Sequence, residues 1–351
     1  MSTDDSDQLP YATAKSLRVL GKIRQQPQDF QVEEIAAYAP TGHGDHVLLR
    51  VEKTGLNTPE AVRRVARALD ADPAQAGWAG LKDRNAVTNQ WISLFQVDPE
   101  RALRLALPGI RVLEAIAHPH KIRTGHLKGN RFVIRVVCAP QDLGIAQQVL
   151  AQLSLHGTPN YYGEQRFGRD GGNVARATAW LVDGGRAPRD RFERKLLASA
   201  LQSDWFNQWL AARVRAGALG RPIAGDLMRK EETGGMFVTQ DLADAEARMA
   251  TWNISPTGPI FGQEMRWPEA DALELERALW ARVGLPDEAL ARARKLLQGS
   301  RRSARMRPEH VQVEAWADGI ALSFTLPKGA YATVVLRELL KSDSLELEPG
   351  V

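Results

Sequence analysis

Ala79-Gly80-Leu81-Lys82-Asp83-Arg84-Asn85-Ala86-Val87-Thr88-Asn89-Gln90 lies between a capped helical pattern and an apolar run over residues 91–97 that reads as a strand. A Gly stands ahead of a lone carboxylate, Asp83, and a cation flanks that carboxylate on each side, Lys82 and Arg84. A loop of this composition at a sheet edge can present Asp83 to a ligand. The same residues also make an ordinary polar turn with solvated charges.

Upstream, Thr58-Pro59-Glu60 predicts a helix start, with Thr58 as N-cap, Pro at the first helical position and an acid in the first turn. Val62, Val65, Ala66 and Leu69 continue it at i, i+3, i+4 and i+7, and Asp72-Pro73 ends it. Residues 46–51 read as a buried strand, residues 21–35 as extended chain around a Pro turn, and the first fifteen as a flexible polar tail. Downstream, residues 131–137 alternate strictly, with Phe132, Ile134 and Val136 on one face, and residues 142–153 read as a helix.

Near residue 157 the texture changes to a stretch dense in Gly, aromatics and Arg. Helical patterns then dominate over 173–182, 190–218 and 271–297. Strand patterns return at 311–316 and 320–326, and a helix over 330–341 follows. Mixed α/β, then mainly helical, then α/β again is the order expected of a domain inserted into another. A length of 351 residues fits about two domains.

A hydrophobic content of 44% with 25% charged residues is that of a globular chain with ample core. Its one cysteine, Cys138, excludes an internal disulfide framework and fits a reducing compartment, so a cytoplasmic location is expected. The N-terminus is acidic and polar, and no run approaches a membrane span, so no membrane partner is expected. His118-x-His120 and His43-x-x-His46 have no Cys or carboxylate frame, and no Gly-x-x-x-x-Gly-Lys-Ser/Thr loop occurs; neither a metal nor a nucleotide cofactor is expected. The net charge is +4, but the cations cluster. One tract holds His118, His120, Lys121, Arg123, Lys128 and Arg131; another holds Arg292, Arg294, Lys295, Arg301, Arg302, Arg305 and Arg307. Each is a candidate nucleic-acid surface or a solvated face.

Five stretches together carry a resemblance: residues 27–35, residues 79–90, residues 127–132, Pro159-Asn160-Tyr161-Tyr162-Gly163-Glu164-Gln165-Arg166-Phe167-Gly168, and Leu326-Pro327-Lys328-Gly329-Ala330-Tyr331-Ala332-Thr333 with Arg337-Glu338-Leu339. In these the chain resembles the TruD-type family of tRNA pseudouridine synthases. The resemblance implies an α+β fold: a pseudouridine-synthase catalytic domain with a mixed, largely antiparallel sheet, interrupted by a mainly helical inserted TRUD domain. The expected boundaries are 1–156 and 305–351 for the catalytic domain and 157–304 for the insert, with RNA in the cleft between them. The implied reaction breaks the C–N glycosidic bond of a uridine, turns the uracil and rejoins C5 to C1′, with no cofactor. The implied substrate is uridine 13 in the D arm of tRNA, chiefly tRNA-Glu, and the implied oligomeric state is a monomer.

Asp83 matches the family's essential aspartate, which could attack C1′ or remove a sugar proton. Arg24 stands where the family carries a basic residue and could orient Asp83; a phosphate contact or surface charge is the alternative. Tyr331 matches the ring that stacks on the target base, against a core aromatic at a helix start. Phe30, Asn130 and Phe132 match pocket-forming positions; the two rings suit packing better than contact, and Asn130 suits a base edge or the Asp83 loop. Lys82 and Arg84 suit phosphate, or structure. Asn160, Tyr161, Gln165 and Arg166 interleave aromatic and polar groups in a way that could hold bases displaced by flipping, or form a Gly-rich hinge. Gln28 departs from the acid common beside Asp29 in the family. A non-catalytic RNA-binding or RNA-folding protein would share the basic tracts, and a glycosidase would want a second carboxylate that nothing near Asp83 supplies.

Overall fold

Period-two burial builds the longest strands, and one face of each is apolar enough to bury. The computed structural model describes residues 8–168 and 171–342, without the side chain of Gln165; Arg169 and Asp170 lie outside the described residues. In chain order the elements begin with β1 (Lys22–Ile23), β2 (Phe30–Ala36), β3 (His46–Thr54), α1 (Thr58–Ala68), β4 (Gly77–Trp78), β5 (Val87–Phe95), α2 (Pro99–Leu103), β6 (Ala106–Leu107), β7 (Ile110–His118), β8 (Leu127–Val137) and α3 (Asp142–His156). Then come β9 (Thr158–Pro159), α4 (Gly172–Leu181), α5 (Arg191–Arg215), β10 (Leu227–Lys230), β11 (Met236–Val238), α6 (Leu242–Ala250), β12 (Ile254–Ile260), α7 (Ala270–Val283), α8 (Asp287–Arg292), β13 (Ser300–Ser303) and β14 (Arg305–Met306). The last are β15 (Glu309–Trp316), β16 (Gly319–Pro327) and α9 (Ala332–Leu340).

The chain forms two compact units. One comprises Leu17–Leu150, Pro308–Ala332 and the chain from Leu339; the other comprises the chain up to Ser16, Ala151–Arg307 and Thr333–Glu338. Among the described residues the first unit holds a ten-stranded sheet in the order β15-β16-β8-β2-β5-β3-β7-β6, with β1 on β8 and β4 on β5. Its pairs are antiparallel except β2 with β5, which run parallel with Gln31 opposite Val87. Val47, Leu49 and Val51 of β3, Ile92 and Leu94 of β5, and Val62, Val65 and Ala66 of α1 form one buried cluster, so α1 covers this face. Each fully buried Val or Leu there contributes about 1.5–3 kcal/mol.

Four expectations need correction. Thr58 is not the N-cap: Asn57 caps α1, its side chain accepting from the Glu60 amide, and Thr58 turns its hydroxyl inward. The helix expected over 271–297 is two, because Gly284 takes a left-handed conformation (φ 64°) ahead of Leu285-Pro286. The helical middle of the chain also contains a four-stranded sheet, β11-β10-β12-β13; β10, β11 and β13 are too short to show a period, and β12 is buried on both faces. The described end of the polar tail is held: Thr13 is buried, and its amide and hydroxyl both donate to Glu338.

At one end of the first sheet, His118 pairs in register with His46 and stacks on Tyr38 at 5.1 Å. Burial, then the nearby His120, His43 and His46, lower the pKa of His118 below the ordinary 6.5; His46 is lowered by burial and Lys121. The folded state therefore favours neutral rings, a contribution present above about pH 6.5 and lost as pH falls through the depressed folded values. Urea midpoints are expected to fall between pH 7.5 and pH 5.5, and His118→Gln is expected to flatten that fall. An equal fall in both proteins would place the acid sensitivity elsewhere.

Candidate active site

Residues paired directly across strands share a sheet face, and the register Lys53–Thr88–Val32–Phe132–Phe324 runs across five strands. One step along, Glu34 of β2 faces Asn130 of β8. This face is therefore apolar except for a patch of Lys53, Glu34, Thr88, Gln90 and Asn130. A buried polar patch calls for partners. The loop between β4 and β5, which carries Asp83, supplies several of them.

The parallel pairing of β2 and β5 puts the two loops that precede them at the same end of the sheet. β1 and β2 both run antiparallel to β8, Ile23 opposite Val136 and Phe30 opposite Ile134, so residues 24–29 form an excursion between two strands on one line. Arg24 opens that excursion in the left-handed region (φ 57°). Its guanidinium lies 4.2 Å from the centroid of the buried Phe30 ring and donates to an Asp83 carboxylate oxygen at 3.0 Å. The Arg24 side chain is 10% exposed and that of Asp83 34%, so the carboxylate is oriented but still open to a ligand.

The Asp83 loop is pinned along its length. The Lys82 side chain is buried with that of Glu34, Nζ to Oε2 at 2.5 Å, and Glu34 also accepts from the Trp91 amide. The Lys82 amide donates to the Thr58 hydroxyl, which donates in turn to Gln90. Lys53, 1% exposed, donates from Nζ to the carbonyls of Leu56, Lys82 and Asp83 at 2.7, 3.4 and 2.9 Å. Arg84 and Gly55 clasp each other: Arg84 Nε donates to the Gly55 carbonyl, and the Gly55 amide donates to that of Arg84. With Lys82 turned in, Leu81 (72% exposed) and Asp83 are turned out.

The remaining candidates divide. Asn130 is half-buried, and its Oδ1 is a buried acceptor with no hydrogen-bond partner in the structure. Tyr331 is half-buried at the turn that leads from β16 to α9; the turn is tied to the start of β8, since Lys328 N donates to the Lys128 carbonyl. Gly129 makes that approach possible: a Cβ there would sit 2.2 Å from the Leu326 carbonyl oxygen. Phe30 and Phe132 are core rings, 6.3 Å apart edge to face, and Phe132 packs on Phe324 at 5.5 Å. Arg84 is exposed and engaged with Gly55.

Lys82 is a correction, since a cation facing phosphate has to reach solvent and this one is buried on Glu34. The stretch over residues 159–168 is another. Tyr161 is 1% exposed, its hydroxyl on the Pro10 carbonyl, and burial raises its pKa. Asn160 is buried, donating to the Ser303 carbonyl and accepting from Arg302. Arg166 donates to the hydroxyls of Ser203 and Ser199 on α5. The interleaved rings and cations satisfy one another: Arg302 lies 4.1 Å from the Tyr162 ring centroid and Arg166 5.4 Å. The second basic tract is also partly internal. Arg301 is forked onto Glu276 with both side chains 2% exposed. Arg305 is buried, donating to the Ser255 hydroxyl and the Met249 and Ile254 carbonyls. Arg292, Arg294, Lys295 and Arg307 remain exposed, as do His120, Arg123, Lys128 and Arg131 of the first tract.

Two residues of the site were missed from sequence, Lys53 and Glu34. Each continues an inward alternation, Val47-Leu49-Val51-Lys53 and Phe30-Val32-Glu34, and a charge on an inward position is a signal that it is partnered. Among the described residues no group of three or more His, Cys, Asp or Glu is placed to hold a metal, and no helix is long and apolar enough to cross a membrane.

The family model described as tRNA pseudouridine synthase D (TruD) matches residues 8–185 and 191–339. The chain is 45% identical over 343 residues to a tRNA pseudouridine synthase D of Anaeromyxobacter dehalogenans, covering 96% of this chain and 97% of that one. It is 40% identical over 348 residues to a tRNA pseudouridine synthase D of Thermus thermophilus, covering 98% and 96%. The fold matches a crystal structure from Methanosarcina mazei assigned to the same family, with a TM-score of 0.74 at 21% identity over 95% of this chain and 96% of that one. A mixed, largely antiparallel sheet interrupted by a mainly helical region is thus the shared architecture, and in this chain it carries the outward Asp83 carboxylate on a pinned loop. By sequence over nearly its whole length, this chain belongs to the TruD family and is a pseudouridine synthase, an isomerase.

Proposed function

We propose that this chain isomerises uridine 13 in the D arm of tRNA, chiefly tRNA-Glu, with Asp83 as the reacting carboxylate. The observation that carries the reading is the presentation of Asp83: an outward carboxylate, held by Arg24 at 3.0 Å, on a loop pinned to the sheet behind it. The target nucleotide is flipped out of its stack so that its C1′ reaches the carboxylate, which costs a few kcal/mol. Asp83 then attacks C1′, to be displaced as C5 rejoins it, or takes a proton from the sugar and returns it as C5 rejoins C1′; in either route uracil leaves, turns and returns through C5. The C5 proton is lost to solvent and N1 gains one, so the product is an isomer and no cofactor enters the balance.

Asn130 and Tyr331 take the base in this reading. The half-buried Asn130 carries an amide whose donor and acceptor suit a uracil edge. The half-buried Tyr331 offers a ring face for stacking. Arg84 and the exposed cations around Arg123, Lys128 and Arg131 contact phosphates. Residues 157–304 are the inserted TRUD domain, and the enzyme acts as a cytoplasmic monomer, as the one cysteine and an open RNA site suggest.

The test is tritium release from C5-labelled uridine in tRNA drawn from a strain lacking the enzyme, with reverse-transcription mapping of the product. One modified D-arm uridine is the expected result. Release mapped elsewhere would reject the substrate while leaving the reaction. Tight tRNA binding with no release would favour a non-catalytic RNA-binding or RNA-folding protein, and free uracil a hydrolase.

A further inference from the structure

A lysine that is 1% exposed on an inward strand position is expensive to keep, and three carbonyls converge on this one. An ammonium has three N–H donors, and Lys53 Nζ has the carbonyls of Leu56, Asp83 and Lys82 at 2.7, 2.9 and 3.4 Å. Two of these carbonyls belong to the Asp83 loop and the third to the turn that leads into α1. We propose that Lys53 is the positioning residue for Asp83: its ammonium gathers these three carbonyls and so fixes the main chain from which the carboxylate projects. The inference rests on the reading that Asp83 is the reacting carboxylate.

The surroundings make this a titrating brace. Burial lowers the Lys53 pKa to about 8, with Asp83 opposing that shift and Lys82 adding to it. Glu34 faces the same patch from β2 but is tied to Lys82. Beside Lys53, α1 and β5 contribute the neutral Thr58, Ala61, Val62, Gln90 and Ile92. Loss of the proton leaves an amine with two donors for three carbonyls, and removes the charge that holds them together. Catalysis therefore declines as pH rises through about 8.

Fold stability moves the other way. The folded state holds the Lys53 proton more weakly than the unfolded chain does, so between about 8 and the ordinary 10.5 this group makes folding more favourable as pH rises. A merely structural lysine would leave kcat of the folded protein level across this range. A positioning lysine lowers kcat while the fold is kept.

The experiment is single-turnover tritium release from C5-labelled bulk tRNA across pH 6.5–9.5, using the full-length wild type, Lys53→Met, Lys53→Arg and Asp83→Asn, with urea midpoints at each pH. For the wild type, kcat is expected to fall across about pH 8 with KM unchanged and no matching loss of stability. Lys53→Met should be about tenfold or more slower at pH 7, with that alkaline fall absent. Lys53→Arg, whose guanidinium does not titrate in this range, should lack the fall if it recovers any rate. Wild-type kcat in folded Lys53→Met, or the same alkaline fall in that variant, would overturn the proposal; a fall common to all variants belongs to uracil ionisation. Should Lys53→Met not fold, a wild-type rate that stays level through pH 8–9 would overturn it by itself. Full activity in Asp83→Asn would instead reject the reading of the site.

Discussion

Asp83→Asn is expected to lower kcat/KM for tritium release by about 10⁴-fold or more while leaving tRNA affinity within about threefold. The amide keeps the size of the carboxylate and an oxygen for the Arg24 guanidinium at the same place, so the pinned loop has no reason to move. What it lacks is a nucleophilic or basic oxygen, and both routes from uridine need one. Binding should hold or tighten, since an anion has been removed from beside a polyanion. Arg24→Lys should fall between wild type and Asp83→Asn, because an ammonium lacks the planar fork and the stacking on Phe30 that orient the pair. Release at wild-type rate from Asp83→Asn would remove Asp83 from the chemistry.

Lys82→Met carries the other large expected effect, and it is on stability. Its partner Glu34 has a side chain 1% exposed, and removing the cation strands a carboxylate in the core. Breaking a buried pair from one side costs about 3–5 kcal/mol, whereas replacing both members by neutral groups costs much less. The urea midpoint of Lys82→Met should therefore drop steeply, and Lys82→Met with Glu34→Gln should recover most of the loss. A phosphate contact would behave in the opposite way, leaving stability unchanged while tRNA affinity and its salt slope fell by about one counterion. Equal stability with weakened tRNA binding would return Lys82 to the RNA surface.

Lys82 and Lys53 show why part of the site was legible in the sequence and part was not. In the linear chain Lys82 adjoins Asp83 and reads as a loop cation, the usual condition of lysine. Lys53 lies just past a strand read as ending at Val51 and draws no notice. In the fold Lys82 crosses to Glu34, and Lys53 turns under the loop to its carbonyls. Inward alternation carried on to Lys53 and Glu34 would have marked both as facing a core, but not what they would meet there. The stretch over residues 159–168 failed differently. Alternating rings and cations are equally suited to bases and to one another, and here Arg302, Arg166 and Tyr162 are stacked within the protein.

By itself the sequence determined the mixing of strands with helices, the interruption of the sheet-forming chain by a mainly helical stretch, the principal strands and helices, and the loop that carries Asp83. These are local matters: burial period, capping and turn chemistry act over a few residues and are written in consecutive positions. Only the tertiary structure decided that β2 and β5 run parallel, which brings Arg24 to an aspartate 59 residues away. It also decided which cations are internal, Lys53, Lys82, Arg301 and Arg305, and which remain at the surface. The physical reason is that a charge has no preferred depth of its own. Its burial is set by the donors and acceptors that distant strands bring to it, and pairing between strands is the one relation that periodicity along a single strand does not encode.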